Sequence, residues 1–350
     1  MDAQFKAERL ASGVDELPEV LSSTSYAVIS EGSRGFIARP GKSHKLAVKV
    51  FTSPSGESEC TYEFDTVNYG RHTSAKPVQS LPTIYAQGHL DIGPTLLPAI
   101  AMERSSGTTM CDMGHGRLTR DAFPKDRSAD ELLRFALALA NTLHELRAHY
   151  IHCGVRTPDT VIIQWDGDGP SRMPPSITFS DVMTVGFSSP TSSGVPQPTL
   201  DPLPFTPPEL AVPDEEFDWP PADPIDMWVY GSLVCYAAVG RFWDEWMDGR
   251  KADSLRSTEF AMARSLKRSA LDLRSLAPGH FSVPGTFPTA ECVADVVMAC
   301  TNAEPSLRPD IIAVKSVLEA AAGTRTSTYA PMPFSRQALK RADRAGVGQS

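Results

Sequence analysis

Several features that would identify other protein classes are missing from this chain of 350 residues. Its six cysteines show no CxxC spacing, and we find neither a secretory signal nor an apolar run of membrane length. We therefore expect reduced thiols in a cytoplasmic protein without a membrane span. The net charge of −9 argues against a broad nucleic-acid-binding surface, and the sequence shows no internal repeat.

The chain is long enough, and with 41% hydrophobic residues apolar enough, to build two units that each have a core. The first segment, Met1–Val20, is expected to hold a short helix with Phe5 and Leu10 as its apolar positions. At the other end, Thr324–Ser350 combines basic and small residues, which indicates a flexible basic tail or a marginal helix.

A glycine-rich turn and a lysine-bearing strand stand out in the first third of the chain. Tyr26–Phe36 reads YAVISEGSRGF, and glycine in such a turn lets backbone N–H groups approach phosphate oxygens. Lys45–Phe51 reads KLAVKVF, so Lys49 lies in an apolar strand, although an exposed strand face also carries such a lysine. The following segment, Glu57–Tyr69, is predicted to be helical.

The middle of the chain continues with regular elements. Leu81–Arg104 predicts two strands, and Asp130–Tyr150 has apolar residues at three- and four-residue spacing, which predicts a helix with one apolar face. The loop Tyr150–Ile163 reads YIHCGVRTPDTVII. The segments Thr160–Trp165 and Ser176–Ser180 then predict a pair of strands that ends at Asp181.

In this order, the segments resemble the protein kinase superfamily, in particular its Ser/Thr-kinase-like domains, from about Tyr26 to Ala322. The resemblance implies an α+β bilobal fold with a β-rich small lobe and a mainly helical large lobe. It divides the chain into an N-terminal extension at 1–20, the small lobe at 21–104, the large lobe at 105–323 and the flexible basic tail at 324–350.

The resemblance also assigns candidate cofactor residues for ATP and Mg²⁺. Lys49 would bind nucleotide phosphates and pair with a helical glutamate, for which Glu63 is the first choice and Glu59, one turn earlier, is the rival. The other assigned positions are Gly32 and Gly35 at the phosphates, Met102 at the back of the adenine pocket, the backbone of Glu103–Ser105 facing adenine, and Asp159 and Asp181 as magnesium ligands.

The catalytic loop departs from the family pattern at its most important position. His152 matches the first residue of His-Arg-Asp, but Gly154 occupies the place of the aspartate that serves as catalytic base. No catalytic residue is therefore assigned. Cys153 or Asp159 would have to shift to substitute for the base, unless the register differs by a residue or an irregular loop brings Asp159 into place.

Three later residues match structural positions of the family. Glu209 closes the Ser-, Thr- and Pro-rich segment, Asp226 begins the central buried helix, and Arg308 lies near the end of the domain. We expect Glu209 and Arg308 to form an ion pair, because an unpaired buried charge is costly. We expect Asp226 to accept hydrogen bonds from backbone N–H groups of the catalytic loop.

The sequence favours a pseudokinase, which binds nucleotide and regulates a protein partner that the sequence does not identify. The first alternative is an atypical Ser/Thr protein kinase, a transferase with residual ATP-dependent phosphotransfer. The second is an interaction scaffold that binds no nucleotide. Retention of Lys49 and Asp181 favours the first two hypotheses, and the glycine at position 154 favours the pseudokinase over the atypical kinase.

Overall fold

The structure is a computed structural model. The residues it describes are 1–32, 35–41, 43–72, 78–112, 117–118, 129–149, 151–154, 157–165, 175–180, Phe205, Pro207, Glu209, 222–239, 287–302 and 304–323. The chain divides into two compact units, which are described separately. The first contains Met1–Ser106, Leu146–Ile151 and Thr178–Pro196, and the second contains Gly107–Glu145, His152–Ile177 and Gln197–Ser350.

The first unit is built on a six-stranded antiparallel sheet with one helix. Its strands are β1 (Gln4–Leu10), β2 (Tyr26–Gly32), β3 (Gly35–Pro40), β4 (Leu46–Phe51), β5 (Ile84–Ile92) and β6 (Thr95–Glu103). They are ordered β1-β5-β6-β4-β3-β2, and helix α1 (Gly56–His72) follows β4. The protein is therefore mixed α+β, as the sequence predicts, and the strands and helix expected in this region are confirmed.

Alternation along β4 determines what each face of the sheet carries. Val48 and Val50 lie in a buried apolar cluster on one face, together with Ala99 and Ala101 of β6. Lys49 has the opposite orientation and is the only residue of β4 that is not fully buried. The lysine is thus held by a strand whose other residues fix its position through burial.

The prediction of a short helix in Met1–Val20 is wrong. Phe5 and Leu10, its expected apolar positions, belong to strand β1. Side chains alternate in a strand, and this places Phe5 in the sheet core while Leu10 is exposed. β5 supplies the hydrogen-bonding partner, with Phe5 opposite Leu90. A single 3₁₀ turn at Glu19–Ser22 is the only helical structure in the first twenty-two residues, all of which the structure describes.

The remaining elements are short strands and long helices. They are β7 (Thr108–Thr109), β8 (Cys111–Asp112), β9 (Arg117–Leu118), α2 (Ala129–Ala148), β10 (Val161–Gln164), β11 (Ser176–Phe179), α3 (Ala222–Val239), α4 (Phe287–Cys300) and α5 (Ile311–Gly323). β10 and β11 are neighbours in a three-stranded sheet, so the predicted strand pair is confirmed, as is the predicted helix α2. None of the helices within the described ranges is long and apolar enough to cross a membrane.

Helix α3 is buried in the second unit. Its residues Trp228, Tyr230 and Tyr236 are almost completely inaccessible to solvent. The Tyr230 hydroxyl donates a hydrogen bond of 3.0 Å to the carbonyl of Ala136 in α2, and this bond fixes the two helices at a defined position along their axes. Asp226 lies in the second turn of α3, where the packing of the helix determines the position of its carboxylate.

Candidate functional site

Lys49 and Glu63 form a hydrogen-bonded ion pair in the first unit. Lys49 Nζ lies 2.6 Å from Glu63 Oε2, and the side chains are 14% and 3% exposed. Helix α1 supplies the glutamate, and the Phe51 ring lies 5.1 Å from the lysine nitrogen. A charged group at this depth is tolerated because an opposite charge and a hydrogen bond offset the loss of hydration. The structure therefore selects Glu63 rather than Glu59 as the partner of Lys49.

Glu59 has a different set of partners, although it lies only one turn earlier on α1. Its carboxylate accepts hydrogen bonds from the hydroxyls of Ser53 at 2.8 Å and Ser55 at 2.5 Å. These serines belong to the segment that connects β4 to α1. Glu59 thus holds the start of the helix, while Glu63 extends toward the lysine.

Cys60 lies beside the ion pair and has no reactive character. Burial raises the pKa of its thiol to about 12, and the negative charges of Glu63 and Glu57 add to the increase more than Lys49 opposes it. A thiol must ionise to act as a nucleophile. At neutral pH, Cys60 therefore contributes packing to this site rather than covalent chemistry.

The strand register places Met102 on the same face of the sheet as Lys49. Residues that are directly opposite in neighbouring strands point to the same face. Lys49 is opposite Ile37 of β3 and Ile100 of β6, and Ala47 is opposite Met102. Ala47 and Lys49 also share a face, because they are two positions apart on β4.

Two of the backbone N–H groups that follow Met102 already donate hydrogen bonds within the protein. The Glu103 N–H donates to the Thr83 carbonyl at 2.6 Å, and the Arg104 N–H donates to the Lys45 carbonyl at 2.7 Å. For the Ser105 N–H, the part of the chain that the structure describes supplies no backbone acceptor. Of the three amides that the kinase resemblance places at adenine, Ser105 therefore has the donor that is best suited to a ligand.

Close packing against β4 requires glycine at position 35. A Cβ at this position would lie 1.9 Å from the carbonyl oxygen of Val50 in β4, so any side chain would force the strands apart. Gly32 is opposite Gly35 at the end of the β2–β3 hairpin, and the two residues between them lie outside the described ranges. The role of both glycines at a phosphate group stays a prediction.

In the second unit, Asp226 organises the loop that contains His152 and Gly154. One carboxylate oxygen accepts the Gly154 N–H at 2.8 Å, and the other lies 3.0 Å from His152 Nδ1. The expected hydrogen bond from a backbone N–H of this loop to Asp226 is confirmed. The bond to the imidazole was missed, although a buried histidine that follows an apolar helix requires a polar partner.

The backbone conformation at Gly154 explains why a glycine is suited to this position. Its φ angle is +63°, in the left-handed region, where a residue with a Cβ is strained. Aspartate and asparagine tolerate this region better than other non-glycine residues. Gly154 therefore leaves position 154 without a carboxylate while allowing the backbone N–H to bond to Asp226.

The two proposed magnesium ligands differ in what the structure shows of them. Asp159 lies in a single 3₁₀ turn, Pro158–Thr160, directly before β10, and is partly buried. Asp181 lies outside the described residues, as does Arg156 of the loop. Within the described ranges, there is no group of three or more histidine, cysteine, aspartate or glutamate side chains that could hold a metal ion.

The expected ion pair between Glu209 and Arg308 is present. Two guanidinium nitrogens of Arg308 bond to the two carboxylate oxygens of Glu209 at 2.5 and 2.7 Å. The guanidinium also donates to the carbonyls of Pro224 and Asn302, both at 2.8 Å, and lies 5.0 Å from the ring of Trp228. Arg308 thus connects three separate segments through a side chain that is completely inaccessible to solvent.

Comparisons with known proteins do not assign the chain to a family. It matches no protein-family model, and no curated protein matches its sequence. The functional argument therefore depends on the geometry of these side chains.

Replacing Glu63 by Gln should destabilise the protein by about 3 kcal/mol, because it removes the carboxylate charge that lies 2.6 Å from the buried Lys49 ammonium. The matched control is Glu59→Gln on the same helix, which should cost about 1 kcal/mol through weaker hydrogen bonds to two serines. Urea unfolding of the three proteins measures both values. A larger loss for Glu59→Gln than for Glu63→Gln would contradict the assigned pairing.

Arg308→Leu should reduce the free energy of unfolding by about 4 kcal/mol, because Glu209 and two backbone carbonyls lose their donor in a buried position. Lys315→Leu is the control, since Lys315 forms only a 3.8 Å pair with Glu319 on α5 and should change stability by about 0.5 kcal/mol or less. Thermal unfolding compares the variants. Equal melting temperatures for Arg308→Leu and the wild type would count against a structural role for the pair.

Proposed function

We propose that this chain is a bilobal, protein-kinase-like protein that binds ATP and acts as a pseudokinase, regulating a protein partner. The observation that carries the proposal is the buried Lys49–Glu63 ion pair, formed between a strand and the helix that follows it. It is supported by the Asp226 contacts to the loop at Gly154 and by the Glu209–Arg308 pair. All of these residues occur in the chain in the order that the kinase resemblance requires.

Lys49 is the proposed contact for the nucleotide phosphates. An ammonium group attracts phosphate oxygens as a point charge, and this interaction is strong only where the group is held in place and partly shielded from water. Glu63 fixes the position of Lys49 Nζ, and the side chain retains 14% exposure.

Adenine is proposed to lie against the backbone that follows Met102. Met102 shares a sheet face with Lys49, so one surface of the sheet supplies an apolar contact and a cation. The Ser105 N–H is the proposed donor to the base, because the Glu103 and Arg104 amides bond to carbonyls of the protein. Serine at this position provides the donor through its backbone, so its side chain is not required.

Magnesium is proposed to bind Asp159 and Asp181. Both are carboxylates, and hard oxygen ligands are what magnesium requires, so the residue types fit the ion. When bound, magnesium would neutralise the negative charge of the phosphates. An aspartate at position 159, where the family has asparagine, adds a negative charge that strengthens attraction for a divalent cation.

The pseudokinase assignment depends on Gly154. Glycine has no group that accepts a proton from a substrate hydroxyl, and loss of a general base typically lowers a rate by about 10²- to 10⁴-fold. Kinases turn over at roughly 1–100 per second, so a chain without the base is expected to reach on the order of 10⁻⁴ to 1 per second. Binding of nucleotide without efficient transfer is the expected behaviour.

A thermal-shift titration with ATP, with and without magnesium, tests nucleotide binding. ATP at 100 times its dissociation constant should stabilise the wild type by about 2.7 kcal/mol, and Lys49→Ala should abolish the shift. Lys45→Ala is the control, because it removes an exposed lysine just before the same strand and should retain the shift. The absence of any shift at millimolar ATP would leave the scaffold hypothesis.

The atypical-kinase alternative is favoured by the retained network of Asp226, His152 and the Gly154 N–H, which would hold a base in position if one were present. Gly154→Asp should raise phosphotransfer to a peptide by about 10²-fold or more relative to Gly154→Asn. Asparagine tolerates the same φ angle without providing a base. Equal rates for the two variants, measured with radiolabelled ATP, would show that position 154 is not the base position.

A further inference from the structure

Arg9 connects strand β1 to the helix that carries Glu63. Its Nη2 atom lies 2.7 Å from Asp65 Oδ1 on α1, and its Nη1 atom donates to Gln87 Oε1 of β5 at 3.0 Å. The guanidinium carbon also lies 4.9 Å from the centre of the Phe64 ring, a cation–π distance. Phe64 is buried and directly follows Glu63 in the helix.

Two more contacts reach α1 near Arg9, one from Ser12 just after β1 and one through His89, which links Glu8 of β1 to α1. The Ser12 N–H donates to Asn68 Oδ1 at 2.8 Å, near the later part of the helix. His89 of β5 lies 2.8 Å from Glu8 and 2.7 Å from Glu57, in the first turn of α1. Burial lowers the pKa of His89, but its hydrogen bonds to Glu57 and Glu8 outweigh this effect and raise it, which favours an imidazolium that donates to both.

These contacts fix α1 at three levels along its axis. They involve Glu57 in its first turn, Phe64 and Asp65 beside Glu63, and Asn68 one turn later. A helix moves as a rigid element, so a displacement that breaks them also changes the 2.6 Å distance between Glu63 and Lys49. We propose that β1 positions α1 and that Arg9 is the positioning residue through which it stabilises the Lys49–Glu63 pair.

β1 lies outside the segments on which the kinase resemblance rests, which begin at Tyr26. It is an edge strand whose side chains, apart from Phe5, are exposed, so few apolar contacts hold its residues 6–10 in place. Displacement of β1 would break its backbone pairing with β5 together with the contacts that reach α1. The positioning role stands without ATP, and only its effect on nucleotide affinity rests on the proposed function.

The test compares Arg9→Ala with Lys6→Ala in the full chain. Lys6 is also on β1, and its ion pair joins it to Asp91 of β5 rather than to α1. Two quantities are measured without nucleotide: hydrogen exchange of the α1 amides, and the rate at which acetic anhydride modifies Lys49. Arg9→Ala should increase both by about threefold, as expected when an exposed ion pair and a cation–π contact are lost together, while Lys6→Ala should leave them unchanged.

A second pair of variants separates positioning from general destabilisation. Asp65→Asn removes the negative charge that faces Arg9 while Arg9 keeps its contact with Phe64, and it should produce part of the effect. Arg9→Asp combined with Asp65→Arg restores the ion pair with reversed charges, and it should return Lys49 modification toward the wild-type rate. Failure of the reversed pair to recover any protection, while its melting temperature equals that of the wild type, would overturn the proposal.

Equal increases for Arg9→Ala and Lys6→Ala would also overturn it, because the effect would then come from a weaker sheet. ATP titration of the same variants is a separate measurement. If the wild type binds no ATP but Arg9→Ala still exposes Lys49, the proposed function fails and the positioning role stands. If the wild type binds ATP and Arg9→Ala changes neither Lys49 reactivity nor α1 exchange, the reverse holds.

Discussion

A lysine in the middle of an apolar strand imposes a constraint that the rest of the first unit must satisfy. β4 is otherwise buried, so its position is fixed by packing, and the ammonium of Lys49 cannot move far to find a partner. An ammonium placed there without a counter-charge costs several kcal/mol, a large part of the 5–15 kcal/mol by which a typical domain is stable. The carboxylate must therefore come to the lysine, and helix α1 is held where Glu63 meets this requirement.

In the second unit, individual polar side chains form hydrogen bonds to several segments of the chain. Asp226 bonds to the Gly154 N–H and to His152, and Arg308 bonds to Glu209 and to the carbonyls of Pro224 and Asn302. Such groups stabilise one arrangement because a partial set of bonds leaves buried polar atoms without partners. They bring together residues that are up to 99 positions apart along the chain.

Local patterns predicted the elements but left some pairings undetermined. The sequence predicts helix α2 from its apolar spacing, and it also predicts the strand before α1. Both predictions depend only on residues that are close together in the chain. Glu59 and Glu63 are four positions apart on one helix face, so periodicity cannot tell which of them pairs with Lys49. The structure distinguishes them, because Ser53 and Ser55 donate hydrogen bonds to Glu59. β1 was predicted as a helix because its partner strand lies about eighty residues away, and no local signal reports that pairing.

The loop at Gly154 is ordered by a buried carboxylate that bonds to its backbone. The contact to Asp226 is made by the backbone N–H, so it does not depend on the side chain at position 154. A φ of +63° suits glycine, and the same conformation would strain most other residues. Keeping Asp226 and His152 buried and bonded costs desolvation whether or not a base is present. The hydrogen bonds that join Asp226 to His152 and to the Gly154 N–H offset that cost, so the loop is ordered ahead of Asp159, which lies in the turn directly before β10.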